Sequence, residues 1–199
     1  MFDDFLIQNN SSKMNSTINI EDNCLVSGNI NNAIEGGQGC FDMSKIKING
    51  GIIQISNNIH KNTSNISPDK NGNLKTVSSY TYGGALYISN CKNLEMNNLK
   101  ITKCKSDNGG AIYFTYSTGK ILESELSYNT SRYGGGFYST NNCNLLLYNI
   151  KILNNSTLEG SGGGIYGYGE LTIDGDKSNI SNNVANTYGG GIMIKKNNY

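Results

Sequence analysis

The sequence has no excess of charge of either sign and no long apolar run. Its 16 lysine and arginine residues stand against 15 aspartate and glutamate residues, so the formal net charge is +1. Arg132 is the only arginine and the lysines are scattered, which excludes the basic patch of a nucleic-acid-binding or lipid-binding protein. No run of about 18 apolar residues is present, and no membrane-spanning helix is therefore predicted in this segment.

Signals of secretion and of metal or cysteine chemistry are also lacking. The first residues, MFDDFLIQNN, are acidic where a signal peptide has a basic region. The cysteines form no CxxC pair and no metal-ligand spacing, and their odd number leaves at least one thiol unpaired within the chain. We therefore expect no metal and no cofactor. Free cysteine is among the most buried residue types, so we expect small core residues at Cys24, Cys40, Cys91, Cys104 and Cys143.

What the sequence does contain is a repeated glycine phrase. It reads GGALY at 83–87, GGAIY at 109–113, GGGFY at 134–138, GGGIY at 162–166 and GGGIM at 189–193. Successive copies begin about 26, 25, 28 and 27 residues apart. A period of this size is typical of a solenoid, in which each repeat stacks on the previous one.

A second phrase, a large apolar residue followed three residues later by asparagine, keeps the same register. Clear copies are LSYN at 126–129, ILNN at 152–155 and ISNN at 180–183, and weaker copies occur at 26–29, 55–58 and 101–104, the last with cysteine in the asparagine place. Stacked asparagine amides hydrogen-bond to turn backbone and to each other. We therefore predict a structural asparagine column that contains Asn29, Asn58, Asn129, Asn155 and Asn183.

Between the glycine phrases lie short alternating strands, and no segment keeps the 3.6-residue period over a helical length. The sequence therefore predicts an all-β fold, a right-handed parallel β-helix of about six to seven rungs of roughly 25–28 residues. Glycine pairs allow positive φ and leave room for the neighbouring rung. We place these pairs at the corners: Gly83, Gly84, Gly109, Gly110, Gly134, Gly135, Gly162, Gly163, Gly189 and Gly190.

The period also predicts how the chain is divided. Residues 1–35 are irregular and indicate N-terminal rungs or a cap, and residues 36–199 form the repeats. The period is broken once, by a polar segment at about 59–82 that holds His60 and the sole proline, Pro68. This segment is interpreted as an insertion loop. The whole is expected to be a piece of a longer solenoid.

These two phrases together resemble the repeat of the chlamydial polymorphic outer membrane proteins, whose hallmarks are GGAI and FxxN. GGAL at 83–86 and GGAI at 109–112 match the first hallmark, and the three clear asparagine phrases match the second with leucine or isoleucine for phenylalanine. The resemblance covers residues 83–199 well and 26–58 loosely. It implies a pectin-lyase-type β-helix displayed on a cell surface as an adhesin, and hence an extracellular or cell-surface location.

The alternation within the glycine phrase predicts one candidate binding surface. Leu86, Ile112, Phe137, Ile165 and Ile192 share one face, expected to be inward. The opposite face carries a tyrosine at the same place in four repeats, which is expected to form an aromatic stripe that can contact a ligand. Stacking of these rings on each other for stability is the alternative. The stripe consists of Tyr87, Tyr113, Tyr138 and Tyr166.

Catalytic residues are a further possibility, because the pectin-lyase fold also hosts polysaccharide-degrading enzymes. Glu123 and Glu125 share one side of a strand close to Arg132, but no partner carboxylate occupies the corresponding places of adjacent rungs. Asp174 and Asp176 are interpreted as a polar turn, with calcium binding as the alternative. His60 lacks the partners of a nucleophilic site. No catalytic residue and no metal site are therefore predicted.

Three functions remain open on these observations. The first is a non-enzymatic adhesion, ligand-binding or scaffolding module at the cell surface. The second is a carbohydrate-active enzyme or its inactive relative, and the third is a structural spacer. The expected partners are host or matrix glycans, surface proteins and further copies of the chain joined through open strand edges.

Overall fold

The computed structural model describes residues 80–195 except 90 and 92, and before residue 80 it describes only the backbone of the strands. The chain winds as a parallel β-solenoid. One turn contains the strands Leu86–Ser89, Asn93–Asn97 and Leu99–Thr102, which belong to three different sheets, and the next turn begins with Ile112–Thr115 beside Leu86–Ser89. Each of the three sheets thus receives one strand from every turn.

All three main sheets have six parallel strands. In chain order, sheet 1 contains Thr17–Ile20, Lys45–Ile48, Asn93–Asn97, Thr118–Leu122, Asn144–Tyr148 and Glu170–Asp174. Sheet 2 contains Cys24–Ser27, Ile53–Ser56, Leu99–Thr102, Glu125–Ser127, Lys151–Leu153 and Asn179–Ser181. Sheet 3 contains Gly39–Asp42, Leu86–Ser89, Ile112–Thr115, Phe137–Ser139, Ile165–Gly167 and Ile192–Ile194.

Three smaller sheets have two strands each. Ile30–Asn31 pairs with Ile59–His60 and Thr130–Ser131 pairs with Ser156–Thr157, both in parallel. Asn65–Pro68 and Leu74–Val77 pair in antiparallel fashion. This hairpin lies inside the segment at 59–82 that the broken period marks as an insertion.

The predicted fold class is confirmed: the strands are parallel, they stack as a β-solenoid, and no helix occurs among the described residues. From Leu86 to Ile194 the chain completes about four turns, and the strands before residue 80 bring each main sheet to six strands, close to the predicted six to seven rungs. No helix in the described part of the chain is long and apolar enough to span a membrane.

The core follows the alternation within the strands. Leu86, Ile112, Phe137 and Ile165 are buried, as predicted for the inward face. Ile192 pairs in register with Ile165 on the same face, as predicted, but it is 39% exposed because its strand is paired on one side only in the described chain. The side chains of three of the five cysteines are described, and all three are buried, as predicted, and form no disulfide: Cys91, Cys104 and Cys143.

The two glycines of each corner have different physical roles. Gly109 has φ +67°, a left-handed conformation that costs glycine least. Gly110 lies against the next turn, where a Cβ would overlap the carbonyl oxygen of Gly135 and approach the backbone nitrogen and oxygen of Thr130. The first glycine is thus required by its backbone conformation and the second by the close approach of the neighbouring turn.

Asparagine side chains form a hydrogen-bonded column beside sheet 2. Asn155 Oδ1 accepts bonds from the backbone N–H of Asn129 at 2.9 Å and from Asn129 Nδ2 at 3.0 Å. Asn155 Nδ2 donates to the Leu126 carbonyl at 2.9 Å and to Asn183 Oδ1 at 3.0 Å. At the other end, the Cys104 N–H donates to Asn129 Oδ1, so cysteine occupies the asparagine place as the sequence suggests. Asn29 and Asn58 lie outside the described residues.

Candidate functional site

The tyrosines of the glycine phrase form a continuous column on the outer face of sheet 3. Strand pairing places Tyr87 beside Tyr113, Tyr113 beside Tyr138 and Tyr138 beside Tyr166. Their ring centroids are 5.5, 5.0 and 5.2 Å apart, with interplanar angles of 5°, 15° and 18°. Because the rings cover one another's faces, a ligand approaching the tyrosine column meets ring edges and hydroxyl groups. The faces of these rings are therefore used for stacking on one another, as the alternative interpretation of the stripe predicts.

Burial along the tyrosine column is uneven. Tyr87, Tyr113 and Tyr138 are half-buried, whereas only 4% of Tyr166 is exposed. The expectation that Tyr166 belongs to an exposed stripe is therefore wrong. Tyr133 packs on its ring at 5.3 Å and Tyr168 meets it edge-on at 5.6 Å, with the two hydroxyls of Tyr166 and Tyr168 3.3 Å apart.

Further tyrosines that the sequence analysis did not single out widen this aromatic surface. Tyr82 lies 4.8 Å from Tyr113, and Tyr168 lies 6.5 Å from Tyr138. One signal was available in the sequence: Tyr82 and Tyr133 each stand directly before a corner glycine. Tyr168 has no such marker, since it follows Tyr166 by two residues in one turn only.

The inner tyrosines are held neutral by their surroundings. Burial, and then the neighbouring tyrosines, raise the pKa of Tyr113 and of Tyr138 well above the ordinary value. A buried phenol resists ionisation because the low-polarity surroundings disfavour the phenolate. Both hydroxyls therefore stay protonated to a higher pH than that of an exposed tyrosine.

This burial predicts a loss of stability at alkaline pH. The folded-state pKa lies above the unfolded value of about 10, so folding stability is unaffected by these groups below pH 10 and falls as the pH rises above it. Denaturant unfolding measured from about pH 8 to about pH 11 is expected to show the decline. Tyr113→Phe should lessen it, and Tyr148→Phe, at an exposed position, should leave it unchanged. An equal decline in both variants would contradict this origin.

Two cations lie over this aromatic surface. The Arg132 guanidinium is 5.3 Å from the Tyr80 ring centroid and 5.8 Å from that of Tyr133, and its Nε is 3.1 Å from Glu159 Oε2. Lys195 Nζ is 5.7 Å from the centre of the Tyr166 ring. A hydrogen bond with the Tyr166 side chain, together with the charge interactions of Tyr166 and Tyr168, raises the pKa of Lys195 above its ordinary value. Lys195 therefore keeps its positive charge at neutral pH.

Lys195 and the neighbouring tyrosines line an open groove of about 320 Å³, which we call the tyrosine groove. Its lining combines phenol edges and hydroxyls with one amide and one ammonium group. The volume falls near the lower end of the range of small-ligand sites, roughly 300–1,000 Å³. The lining residues are Tyr80, Asn108, Tyr133, Tyr138, Tyr166, Tyr168 and Lys195.

The candidate catalytic residues do not converge. Glu123 accepts a hydrogen bond from Asn149 Nδ2, and Glu125 accepts one from the Ser127 hydroxyl at 2.7 Å. Glu125 also pairs in register with two lysines of the adjacent strands, Lys100 and Lys151. Arg132 points instead to Glu159 and the tyrosines. The three groups that the sequence places close together are thus engaged in separate contacts.

The acidic turn has a local structural role, and the histidine side chain lies outside the described residues. Asp174 Oδ1 accepts the Gly175 N–H at 2.7 Å, and the Asp174 carbonyl accepts the Ser178 hydroxyl, as in a polar turn. The backbone of His60 belongs to the strand Ile59–His60. Within the described residues, no group of three or more His, Cys, Asp or Glu side chains could hold a metal ion.

Comparisons of the chain with protein-family models, with curated proteins and with solved structures find no match.

Proposed function

We propose that the protein is a non-enzymatic β-helix module of the chlamydial outer-membrane-protein repeat type, with a pectin-lyase-like fold. It acts at the cell surface or outside the cell by binding a ligand. The repeat assignment is supported by the places of the two phrases in the solenoid. GGA residues stand at the corners of sheet 3, and the asparagines at 129, 155 and 183 stand in one hydrogen-bonded column.

The observation that carries the binding function is the tyrosine groove. Stacking fixes the rings of Tyr138 and Tyr166, the two members of the tyrosine column that line the groove, so they lose little conformational freedom when a ligand binds. Lys195 adds a positive charge on one side. Donors fixed beside apolar ring edges are typical of specific ligand sites.

The composition of the tyrosine groove supports binding rather than catalysis, because its lining groups differ from the acid and base groups that cleavage of a polysaccharide needs. Cleavage of a polysaccharide uses converging carboxyl groups or a comparable acid–base pair. The tyrosine groove is lined by phenols, one amide and one ammonium group. Release of new chain ends from pectin or alginate by the protein would instead favour the enzymatic alternative.

The proposed function is tested by adhesion of protein-coated beads to cultured animal cells and to surfaces coated with matrix proteins. The double variant Tyr80→Ala/Lys195→Ala removes two exposed groups of the tyrosine groove. We expect at least about a tenfold loss of adhesion, the effect of removing a central aromatic and a charged contact.

The matched control is Tyr148→Ala/Lys151→Ala, which removes an exposed tyrosine and an exposed lysine that do not line the tyrosine groove. It is expected to adhere like the unmodified protein. Absence of adhesion by the unmodified protein contradicts the proposal. If both double variants adhere equally, the tyrosine groove does not contribute to adhesion, and the spacer function is favoured.

A further inference from the structure

We propose that a second groove, on the other side of Tyr138 and Tyr168, binds a neutral sugar residue. We call it the amide groove. The inference rests on the proposed ligand-binding function and assigns a ligand class to it. The amide groove has a volume of about 410 Å³ and shares Tyr138 and Tyr168 with the tyrosine groove.

The amide groove arises because successive turns have unequal corners between sheet 3 and sheet 1. Strand pairing aligns residues 114, 139 and 167 before the corner, and residues 118, 144 and 170 after it. The intervals are four, five and three residues, respectively. The middle corner therefore protrudes, with a tight turn closed by the Cys143 N–H bond to the Thr140 carbonyl. All three corners line the amide groove, with Tyr116 from the first, Asn141 and Asn142 from the second and Tyr168 from the third.

Tyr116 provides an accessible aromatic ring at one side of the amide groove. It is 57% exposed, in contrast to the half-buried rings of the tyrosine column. Its backbone is held in a left-handed conformation, φ +48°, by the residue that follows. The Ser117 hydroxyl donates to the Thr115 carbonyl at 2.8 Å and accepts the Cys91 N–H.

A tyrosine at positive φ is unusual and costs on the order of 1–2 kcal/mol relative to glycine. Such strain persists where the surrounding structure imposes it. Seven other described non-glycine residues between strands, Tyr128 among them, also have positive φ, so the conformation is a recurrent feature of the corners. In this corner the conformation turns the large side chain of Tyr116 out to the groove rather than into the core. The ring is thereby available as a platform for the apolar face of a sugar.

The remaining groups favour a neutral polyol. Asn141 and Asn142 are exposed on the protruding turn, and the Thr140 hydroxyl lies 3.1 Å from that of Thr115. Amides and hydroxyls both donate and accept hydrogen bonds, as sugar hydroxyls do. Among the described residues, no charged side chain lines the amide groove, so a uronate or a phosphate would lose hydration without gaining an ion pair from them. A nucleoside base is a second kind of ligand that stacks on an exposed tyrosine ring, and it is therefore included in the test.

The experiment uses the full chain and an array of neutral oligosaccharides of glucose, galactose, mannose and N-acetylglucosamine. Galacturonate oligomers and the nucleosides adenosine and uridine are included as competing classes. Any sugar bound is then titrated against the unmodified protein and variants by NMR. We expect binding of a neutral oligosaccharide that Tyr116→Ala weakens by about tenfold or more, the effect of losing one aromatic contact in a small site.

Tyr128→Ala is the matched control, since Tyr128 is 59% exposed, also has positive φ, and does not line the amide groove. It should bind like the unmodified protein. A second variant, Asn142→Ala, should weaken binding while leaving the aromatic platform in place. The proposal is overturned by absence of neutral-sugar binding, by preference for galacturonate or a nucleoside, or by equal effects of Tyr116→Ala and Tyr128→Ala. None of these outcomes bears on bead adhesion through Tyr80 and Lys195, which tests the broader function separately.

Discussion

Gly110→Ala is expected to lower the free energy of unfolding by about 3 kcal/mol or more, at the upper end of overpacking effects. The added Cβ would overlap the carbonyl oxygen of Gly135 in the next turn and lie 2.8–2.9 Å from backbone atoms of Thr130. A flexible side chain could move away, but these are backbone atoms held by hydrogen bonds between turns. Two turns must therefore separate locally. Denaturant unfolding followed by far-UV circular dichroism measures the effect.

The matched control is Gly191→Ala, which adds the same atom within the same phrase. At Gly191 the nearest atom to an added Cβ is Ile180 Cγ2, at 3.6 Å, an ordinary van der Waals distance. Two other turns already carry alanine at this place, Ala85 and Ala111. We expect Gly191→Ala to unfold within about 0.5 kcal/mol of the unmodified protein. Equal destabilisation by both variants would show that close approach between turns is not the cause.

Asn155→Ala is expected to lower the free energy of unfolding by about 2 to 5 kcal/mol, since each buried polar group without a partner costs roughly 1–3 kcal/mol. Asn155 is 1% exposed, and its side chain joins three turns. Without this side chain, the Asn129 N–H loses its hydrogen-bond acceptor and the Leu126 carbonyl loses a hydrogen-bond donor. The midpoint of denaturant unfolding should fall accordingly.

Asn144→Ala serves as the control for loss of an asparagine side chain. Asn144 is exposed on sheet 1, and its amide donates to Glu170 Oε2 at the surface. Water replaces such a partner at little cost, so the expected change is within about 0.5 kcal/mol. If the two variants have the same midpoint, the asparagine column does not stabilise the solenoid.

The features that could be predicted from the sequence are those that repeat. Equivalent residues of a parallel solenoid stack on one another, so a period in the sequence becomes a column in the structure. The tyrosines at 87, 113, 138 and 166 are in register for this reason, and so are the asparagines at 129, 155 and 183. Column membership therefore follows from the spacing of residues, without knowledge of the contacts.

The features that could not be predicted depend on differences between turns. The burial of Tyr166 results from Tyr133 and Tyr168, which lie in different turns and outside the repeated phrase. The amide groove is lined by corners of three, four and two residues in successive turns, a difference that a mean period of about 26 residues conceals. Exposure of Ile192 results from its place at the edge of sheet 3 in the described chain.

The unequal corners also indicate how such a chain tolerates insertions and deletions. Within a strand, gain or loss of one residue would exchange the two faces and turn Tyr113 towards the core and Ile112 towards solvent. In the corner after sheet 3, lengths of two, three and four residues coexist while the strands on both sides stay in register. A whole turn, likewise, could be duplicated with every column intact. Variation is therefore confined to corners and to entire turns, and the amide groove lies at such corners, where ligand specificity can change without loss of the fold.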